Sequence, residues 1–178
     1  VQTATASGAI SHYTGTLTIK GGKISNVSTS TVNTVNISGG TLNVAGGEIT
    51  LSVASKSTIT ASAGTVNVTG GIISATESKA PGISMSGTAV VNVNDAGKIT
   101  SLSNAISASA GTLTINGGYF KSGDGAAVIY KSKDAAIFNI YGGYYNKAVN
   151  GAYLTSEYEC VDSGIPEYTK KVQKKPQQ

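Results

Sequence analysis

The residues of this chain that could perform acid–base chemistry are few and scattered. The sequence has nine acidic residues, one histidine, one cysteine and no arginine. Five of the acids lie in the first 147 residues without a common spacing: Glu48, Glu77, Asp95, Asp124 and Asp134. Hydrolysis of a glycosidic bond needs two carboxyl groups that face one another across that bond. Cleavage of acidic polysaccharides typically needs carboxylates that hold a cation, together with an Arg or Lys base. Because the acids are scattered, the sequence predicts no catalytic site and no enzyme.

His12 and Cys160 carry the other reactive side chains. His12 has no second histidine, no cysteine and no acid near it, which favours packing near the N-terminal end over a role as a base or metal ligand. A single cysteine excludes an internal disulfide and a multi-cysteine metal site. We interpret Cys160 as a half-buried, small apolar residue, and we expect no cofactor.

The only cluster of acids is Glu157, Glu159 and Asp162. Alternation along a strand would direct the first two to one side, where a weak Ca²⁺ site is an alternative to a solvated edge. The solvated edge is the favoured interpretation, so no metal site is predicted.

The formal net charge of +4 comes from the C-terminal end. Residues 1–169 hold nine lysines and nine acids, whereas KKVQKKPQQ at 170–178 holds four lysines. Nucleic-acid binding needs a clustered basic surface on the folded part, so we expect no nucleic-acid partner. The lysine-rich segment is interpreted as a solvated end or a linker.

No apolar run approaches the roughly 18 residues that a membrane span needs, so membrane insertion is not expected. The chain begins at Val1 within a Thr-, Ser- and Ala-rich pattern and has no recognisable signal peptide. This beginning favours a mature piece of a larger protein.

The strongest pattern is a phrase that recurs about every two dozen residues. It reads GTLTIKGGKI at 15–24, TLNVAGGEI at 41–49, GTVNVTGGII at 64–73, VVNVNDAGKI at 90–99, GTLTINGGYF at 111–120 and IFNIYGGYY at 137–145. The first residue of its central pair, here termed the marker, is Gly21, Gly46, Gly70, Asp95, Gly117 or Gly142. Successive markers are 25, 24, 25, 22 and 25 residues apart, a period typical of stacked repeats.

Apolar residues alternate within each copy, as in a half-buried strand. Those four and two positions before the marker are Leu17 and Ile19, Leu42 and Val44, Val66 and Val68, Val91 and Val93, Leu113 and Ile115, and Phe138 and Ile140. A further apolar column lies 11 to 13 residues before the marker: Ile10, Val35, Ile59, Ile83, Ile106 and Ile129. Every repeat therefore supplies at least two strands, and the paired glycines let the chain turn a corner.

One strand pair cannot bury its apolar side alone, so we expect successive repeats to stack about 4.8 Å apart along an axis. The predicted fold is all-β: a single-stranded right-handed parallel β-helix, or β-solenoid, of about six rungs of roughly 24 residues. Its hand follows from the general preference for right-handed crossovers.

Stacking also aligns polar side chains. Three positions before the marker is an outward column of Thr18, Asn43, Asn67, Asn92, Thr114 and Asn139. Two positions after it, Lys23 and Glu48 are expected to form a surface ion pair between adjacent rungs.

The C-terminal end of the stack needs a cover, because an open solenoid end is an unpaired sheet edge. Eight of the nine tyrosines follow Gly118. The segment YECVDS, a GIPE turn and YTKKV predict a β-hairpin. We therefore expect rungs over 1–147, a cap over 148–172 and a flexible tail or linker over 173–178.

The GG-punctuated rungs followed by YLTSEYECVDSGIPEYTKKV resemble the β-helical repeat regions of surface-anchored proteins of Gram-positive gut bacteria. These regions belong broadly to the pectate-lyase-like right-handed β-helix class. The resemblance implies a secreted or cell-surface location within a larger bacterial surface protein, and an adhesive, structural role. Its motifs describe rung geometry and capping and include no catalytic signature.

Tyrosines give the one positive indication of a binding site. Tyr119 and Tyr144 fall two positions after their markers, in one outward column, and Tyr141 lies near Tyr144. Exposed tyrosine rings suit sugars or a protein partner, so the three are the candidate ligand-binding residues for a glycan or a host surface protein. Cap packing is the alternative explanation.

Two other functions stay open. Fold analogy alone favours a polysaccharide lyase or hydrolase. An ice-binding β-solenoid would need a regular Thr-x-Thr face, and only Thr16/Thr18 and Thr112/Thr114 provide that pair among the six repeats.

Overall fold

In the computed structural model, which describes residues 2–3, 8–27, 32–77 and 79–177, the chain forms a parallel β-solenoid of about five turns. The predicted all-β fold is confirmed. The turn count is lower than the predicted six because six copies of a phrase enclose only five complete turns between them. Handedness stays a prediction.

Each turn contributes three strand segments, one more than the repeat had made evident. The first column contains β2 (Ile10–His12), the first parts of β5 (Val35–Val44) and β7 (Ile59–Val68), β9 (Ile83–Met85), β12 (Ile106–Ala108) and β15 (Ile129–Lys131). The second contains β3 (Thr16–Ile19), the later parts of β5 and β7, β10 (Val90–Val93), β13 (Gly111–Ile115) and β16 (Ala136–Ile140). The third contains β1 (Gln2–Thr3), β4 (Lys23–Asn26), β6 (Glu48–Leu51), β8 (Ile72–Ala75), β11 (Lys98–Ser101), β14 (Tyr119–Lys121) and β17 (Tyr144–Tyr145).

The columns are hydrogen-bonded as two sheets. The first two columns form a ten-stranded sheet because β5 and β7 run through both, and the third column continues into the C-terminal hairpin as a nine-stranded sheet. The predicted register is confirmed, since Leu42 pairs with Leu17 on one side and with Val66 on the other.

The core is a continuous interior column of side chains. Residues that alternate along the strands are fully buried, among them Leu42, Ile49 and Val66. Near the C-terminal end the interior becomes aromatic, where Phe120 and Tyr145 stack with ring centroids 4.9 Å apart. Burial of such a side chain stabilises the fold by about 1.5–3 kcal/mol, and the inter-rung ladders hold each in line with the next.

The two positions of a marker pair favour glycine for different physical reasons. The second adopts a left-handed conformation, as at Gly47 with φ of +80°, which confirms the expected corner. The first has no such φ; a Cβ on Gly46 would lie 2.4 Å from the carbonyl oxygen of Lys20 in the rung below. Close stacking on the preceding rung therefore requires glycine at position 46. The additional pair, Gly39 and Gly40, lies inside β5 where the register with β7 is irregular.

The C-terminal end is covered by a hairpin, as predicted. Its strands are β18 (Tyr158–Ile165) and β19 (Tyr168–Lys174), and β19 pairs antiparallel with β17. A 3₁₀ turn at Gly151–Tyr153 covers the last strand of the second column, with Tyr153 edge-on to Phe138 at 5.0 Å.

The lysine-rich segment agrees with the prediction in part. Lys170, Lys171 and Val172 lie in β19, as the predicted hairpin requires, and Val172 is buried, so the interpretation of this part as a solvated end is wrong. The strand passes the expected cap boundary by two residues. The division into rungs, cap and tail otherwise stays a prediction. Among the described residues, no helix has the length and apolar character needed to cross a membrane.

Candidate functional site

Tyr119 and Tyr144 meet as the sequence predicted. They are register partners on β14 and β17, and their rings stack with centroids 5.2 Å apart and planes 13° apart. Both side chains point outward from the third column and are half-buried. The outward column of the prediction is thus confirmed for this pair.

The flat ring faces that we expected to be exposed are partly covered at this pair. The inner faces of Tyr119 and Tyr144 cover each other, Tyr168 of the hairpin packs edge-on against Tyr119 at 5.2 Å, and the Lys98 ammonium lies 5.8 Å from the Tyr119 ring centroid. Tyr168 itself is buried. The tyrosines therefore contribute to cap packing and leave hydroxyl-bearing ring edges, rather than open faces, for a ligand.

Tyr141 belongs to a different cluster. It is 39% exposed and lies against Tyr158 with ring centroids 5.3 Å apart. Within the described residues no ring contact joins it to Tyr119 or Tyr144. The three predicted ligand-binding residues hence form two sites, of which the Tyr119–Tyr144 pair has the richer surroundings.

Lysines flank the tyrosine pair on both sides. Lys98 of β11 pairs in register with Tyr119, and Lys171 of β19 pairs with Tyr144. Paired residues on neighbouring strands share a face, so Lys98, Tyr119, Tyr144 and Lys171 form one outward row, here named the tyrosine–lysine row. Successive strands are about 4.8 Å apart, which gives the row a length of about 14 Å.

A polar groove of about 510 Å³ lies beside this row, at the carboxyl ends of β8, β11 and β14. Its walls include the hydroxyls of Ser74 and Thr100, which hydrogen-bond to each other at 3.2 Å, and the apolar side chain of Leu102, which is 59% exposed. Lys121, the last residue of β14, and Asn146, which directly follows β17, also line it. Row and groove share one face because residues two apart on a strand point the same way.

The hairpin contributes an acid to the groove. Glu167 accepts a hydrogen bond from Lys121 at 3.1 Å. Sequence analysis missed the groove because Glu167 lies outside the repeat, and its approach to Lys121 depends on how the hairpin docks. The row was also missed, since the repeat does not reveal that Lys171 would pair with Tyr144.

Two tyrosines have a raised pKa, one in the core and one in the hairpin. Burial, reinforced by the nearby Cys160, raises the pKa of Tyr145 well above its ordinary value. Burial also raises the pKa of Tyr168, with smaller contributions from Glu167 and Tyr119. The hydroxyl of Tyr145 donates to the carbonyl oxygen of Gly142 at 2.7 Å. Neither hydroxyl is suited to act as a base.

The other sequence candidates have local partners. His12 is half-buried and its Nε2 lies 3.2 Å from the carbonyl oxygen of Gly15. Cys160 is a free, half-buried thiol.

Each acid of the predicted cluster contacts a different lysine or amide side chain of the hairpin. Glu157 lies 3.7 Å from Lys174, and Glu159 accepts a hydrogen bond from Gln173 at 3.1 Å. Asp162 accepts from Lys170, and that bond raises the pKa of the Lys170 ammonium. In the described part of the chain no group of three or more metal-ligating side chains comes together.

The outward face of the second column is an amide ladder. The Asn67 side chain donates to Asn43 at 2.9 Å and accepts from Asn92 at 2.9 Å. The predicted ion pair between Lys23 and Glu48 is confirmed at 3.1 Å. These groups satisfy one another and hold successive rungs in register.

Comparison of the chain with protein-family models, with curated proteins and with solved structures gave no match. The structure shows a parallel β-solenoid, and the resemblance to bacterial surface proteins stays a prediction.

Proposed function

We propose that this chain is a non-catalytic module of a larger secreted or cell-surface protein, which serves a structural and adhesive role and binds a glycan. The tyrosine–lysine row and the adjacent groove form the binding surface. The resemblance of the GG-punctuated rungs to bacterial surface proteins supports the location and the adhesive role.

The observation that carries the proposal is the coincidence of several hydrogen-bonding groups on one outward face. The groove is lined by the hydroxyls of Ser74 and Thr100, the ammonium of Lys121 and the exposed Leu102. The amide of Asn146, which also lines it, is bonded to Ser122. Sugars present many hydroxyls and small apolar patches, and such a mixed surface can satisfy both.

The test is an array of glycans and mucins probed with the purified chain and with two matched variants. Leu102 and Ile137 are both 59% exposed, but only Leu102 lines the groove. We expect Leu102→Ala to weaken binding about fivefold or more, on the order of 1 kcal/mol, because the ligand buries this side chain. Ile137→Ala is expected to bind like the native chain.

Equal binding by both variants would overturn the proposed site, and the absence of binding to any glycan would overturn the function. Retention of a host surface protein in place of a glycan would redirect the proposal to a protein partner. Release of new reducing or unsaturated sugar ends from an array polysaccharide would instead establish an enzyme.

A further inference from the structure

We infer that the ligand of this surface is an acidic glycan, whose carboxylate or sulfate groups are bound by the ammonium groups of Lys98 and Lys171. This inference rests on the proposed function. It specifies the chemical class of sugar that the tyrosine–lysine row selects.

The first reason is that the aromatic faces are partly occupied. Stacking of Tyr119 on Tyr144 at 5.2 Å, with Tyr168 against the edge, leaves little ring face for the C–H groups of a neutral sugar. Recognition must then come from the ring edges and from the cations beside them. A ligand that matches such a surface is rich in hydrogen-bond acceptors.

The second reason is that the two flanking cations lack acids. Within the described residues neither Lys98 nor Lys171 has a carboxylate within 4.0 Å, whereas Lys23, Lys121, Lys170 and Lys174 each have one. Lys98 contacts the Tyr119 ring, but neither ammonium of the row has a carboxylate partner in the described part of the chain. A row about 14 Å long with a cation at each end that no described acid neutralises complements a short stretch of sugars that carries repeated negative charge.

The third reason is that Lys121, the one cation among the described residues that line the groove, is neutralised from within the chain. The lining also includes Asp124, so the cations that attract an anionic ligand are those of the row. Glu167 holds Lys121 at 3.1 Å, and both side chains are half exposed or nearly so. An anionic ligand that enters the groove competes with this carboxylate for Lys121. Removal of the Glu167 charge should therefore strengthen binding, a result that a merely structural role for these residues would not produce.

The experiment measures the affinity of the full chain for hyaluronan, which carries carboxylates, for carboxyl-reduced hyaluronan, for dextran sulfate and for neutral dextran. We expect binding to hyaluronan or to dextran sulfate, whichever anion the row prefers, and at least tenfold weaker binding to the uncharged counterpart. The preferred polymer should also lose affinity as salt rises, because the exposed cations are screened.

The variants assign the effect to the row. Lys98→Gln combined with Lys171→Gln should weaken binding to the preferred acidic polymer about tenfold, as expected for the loss of two partly exposed charge contacts. The matched control is Lys20→Gln combined with Lys133→Gln, two lysines outside the row, which should leave affinity within twofold. Lys98→Arg should retain binding.

Glu167→Gln is expected to tighten binding about two- to fivefold through the release of Lys121. Glu157→Gln, which also removes a hairpin acid but away from the groove, should change nothing.

Equal affinity for hyaluronan and its carboxyl-reduced form, together with no preference for dextran sulfate, would overturn the acidic class while leaving glycan binding in place. Equal losses from the row pair and from the control pair would reduce the effect to general attraction between a basic chain and a polyanion. Failure to bind any polymer here or in the glycan array would count against the proposed function itself.

Discussion

Substitution of Gly46 by Ala should destabilise the solenoid, whereas the same change at Gly21 should not. Both are the first glycine of a marker pair, and neither has a left-handed φ. A Cβ on Gly46 would lie 2.4 Å from the carbonyl oxygen of Lys20. Around Gly21 no described atom lies within 4 Å of the same Cβ position. The pair thus separates the cost of rung stacking from any intrinsic effect of alanine.

The expected magnitude follows from how little the Lys20 carbonyl can move. It is part of a backbone that is tied to the next rung, where the amide of Ala45 donates to the carbonyl oxygen of Ile19 at 2.8 Å. Insertion of a methyl group into such a packed site costs about 1–3 kcal/mol. Gly21→Ala instead restricts only the unfolded chain and should stabilise by about 0.4–1 kcal/mol.

Urea and thermal unfolding followed by circular dichroism measure both changes. For a chain of this size about 1 kcal/mol shifts Tm by roughly 2–4 °C, so Gly46→Ala should lower Tm by about 2–12 °C. The urea dependence should be unchanged if the rungs still unfold together. Equal effects at the two positions, or a neutral Gly46→Ala, would refute the explanation that close stacking selects these glycines.

Three further perturbations test the packing around the site. Tyr145→Phe should cost about 1–3 kcal/mol in urea unfolding, because the buried carbonyl that its hydroxyl contacts at 2.7 Å loses its partner. Since the folded pKa of Tyr145 and Tyr168 is raised, their contribution to stability is complete below the ordinary tyrosine pKa of about 10 and is lost as pH rises beyond it. The part of the tyrosinate absorbance that belongs to Tyr145 and Tyr168 should therefore appear only with unfolding in alkali, and a Tyr145 that ionises in the folded chain would contradict this. Asn67→Ala should cost about 1–3 kcal/mol through two lost amide hydrogen bonds, while Asn139→Ala, which removes no side-chain hydrogen bond within the described residues, should cost clearly less; equal losses would contradict the ladder.

The repeat predicted the fold well because rung stacking turns sequence spacing directly into contact. Residues about two dozen positions apart become neighbours, so the Lys23–Glu48 ion pair and the asparagine ladder could both be derived from spacing alone. The pairing of Tyr119 with Tyr144 on adjacent rungs was predictable for the same reason.

The missed features cannot be derived from residue spacing alone. The role of the first marker glycine is visible only when the Lys20 carbonyl is placed beneath Gly46. The segment that begins at Lys170 received two interpretations, a hairpin strand from its pattern and a solvated end from its charge. Burial of the alternate positions Tyr168 and Val172 favours the strand.

Only part of the candidate site could be predicted from the sequence. Its tyrosines follow from the repeat, but Lys171 and Glu167 come from a hairpin whose docking angle is set by side-chain packing. The groove is lined mostly by residues at the ends of β8, β11 and β14, but the ion pair of Glu167 with Lys121 has no signature in the repeat.

A crystal structure of the chain with the oligosaccharide that binds most tightly on the array would test the central claim most directly. We predict that an anionic group of that sugar lies within about 4 Å of the ammonium of Lys98 or Lys171, with the sugar extending into the groove beside Leu102. A sugar bound instead against Tyr141 and Tyr158, or along the asparagine ladder, would contradict the account.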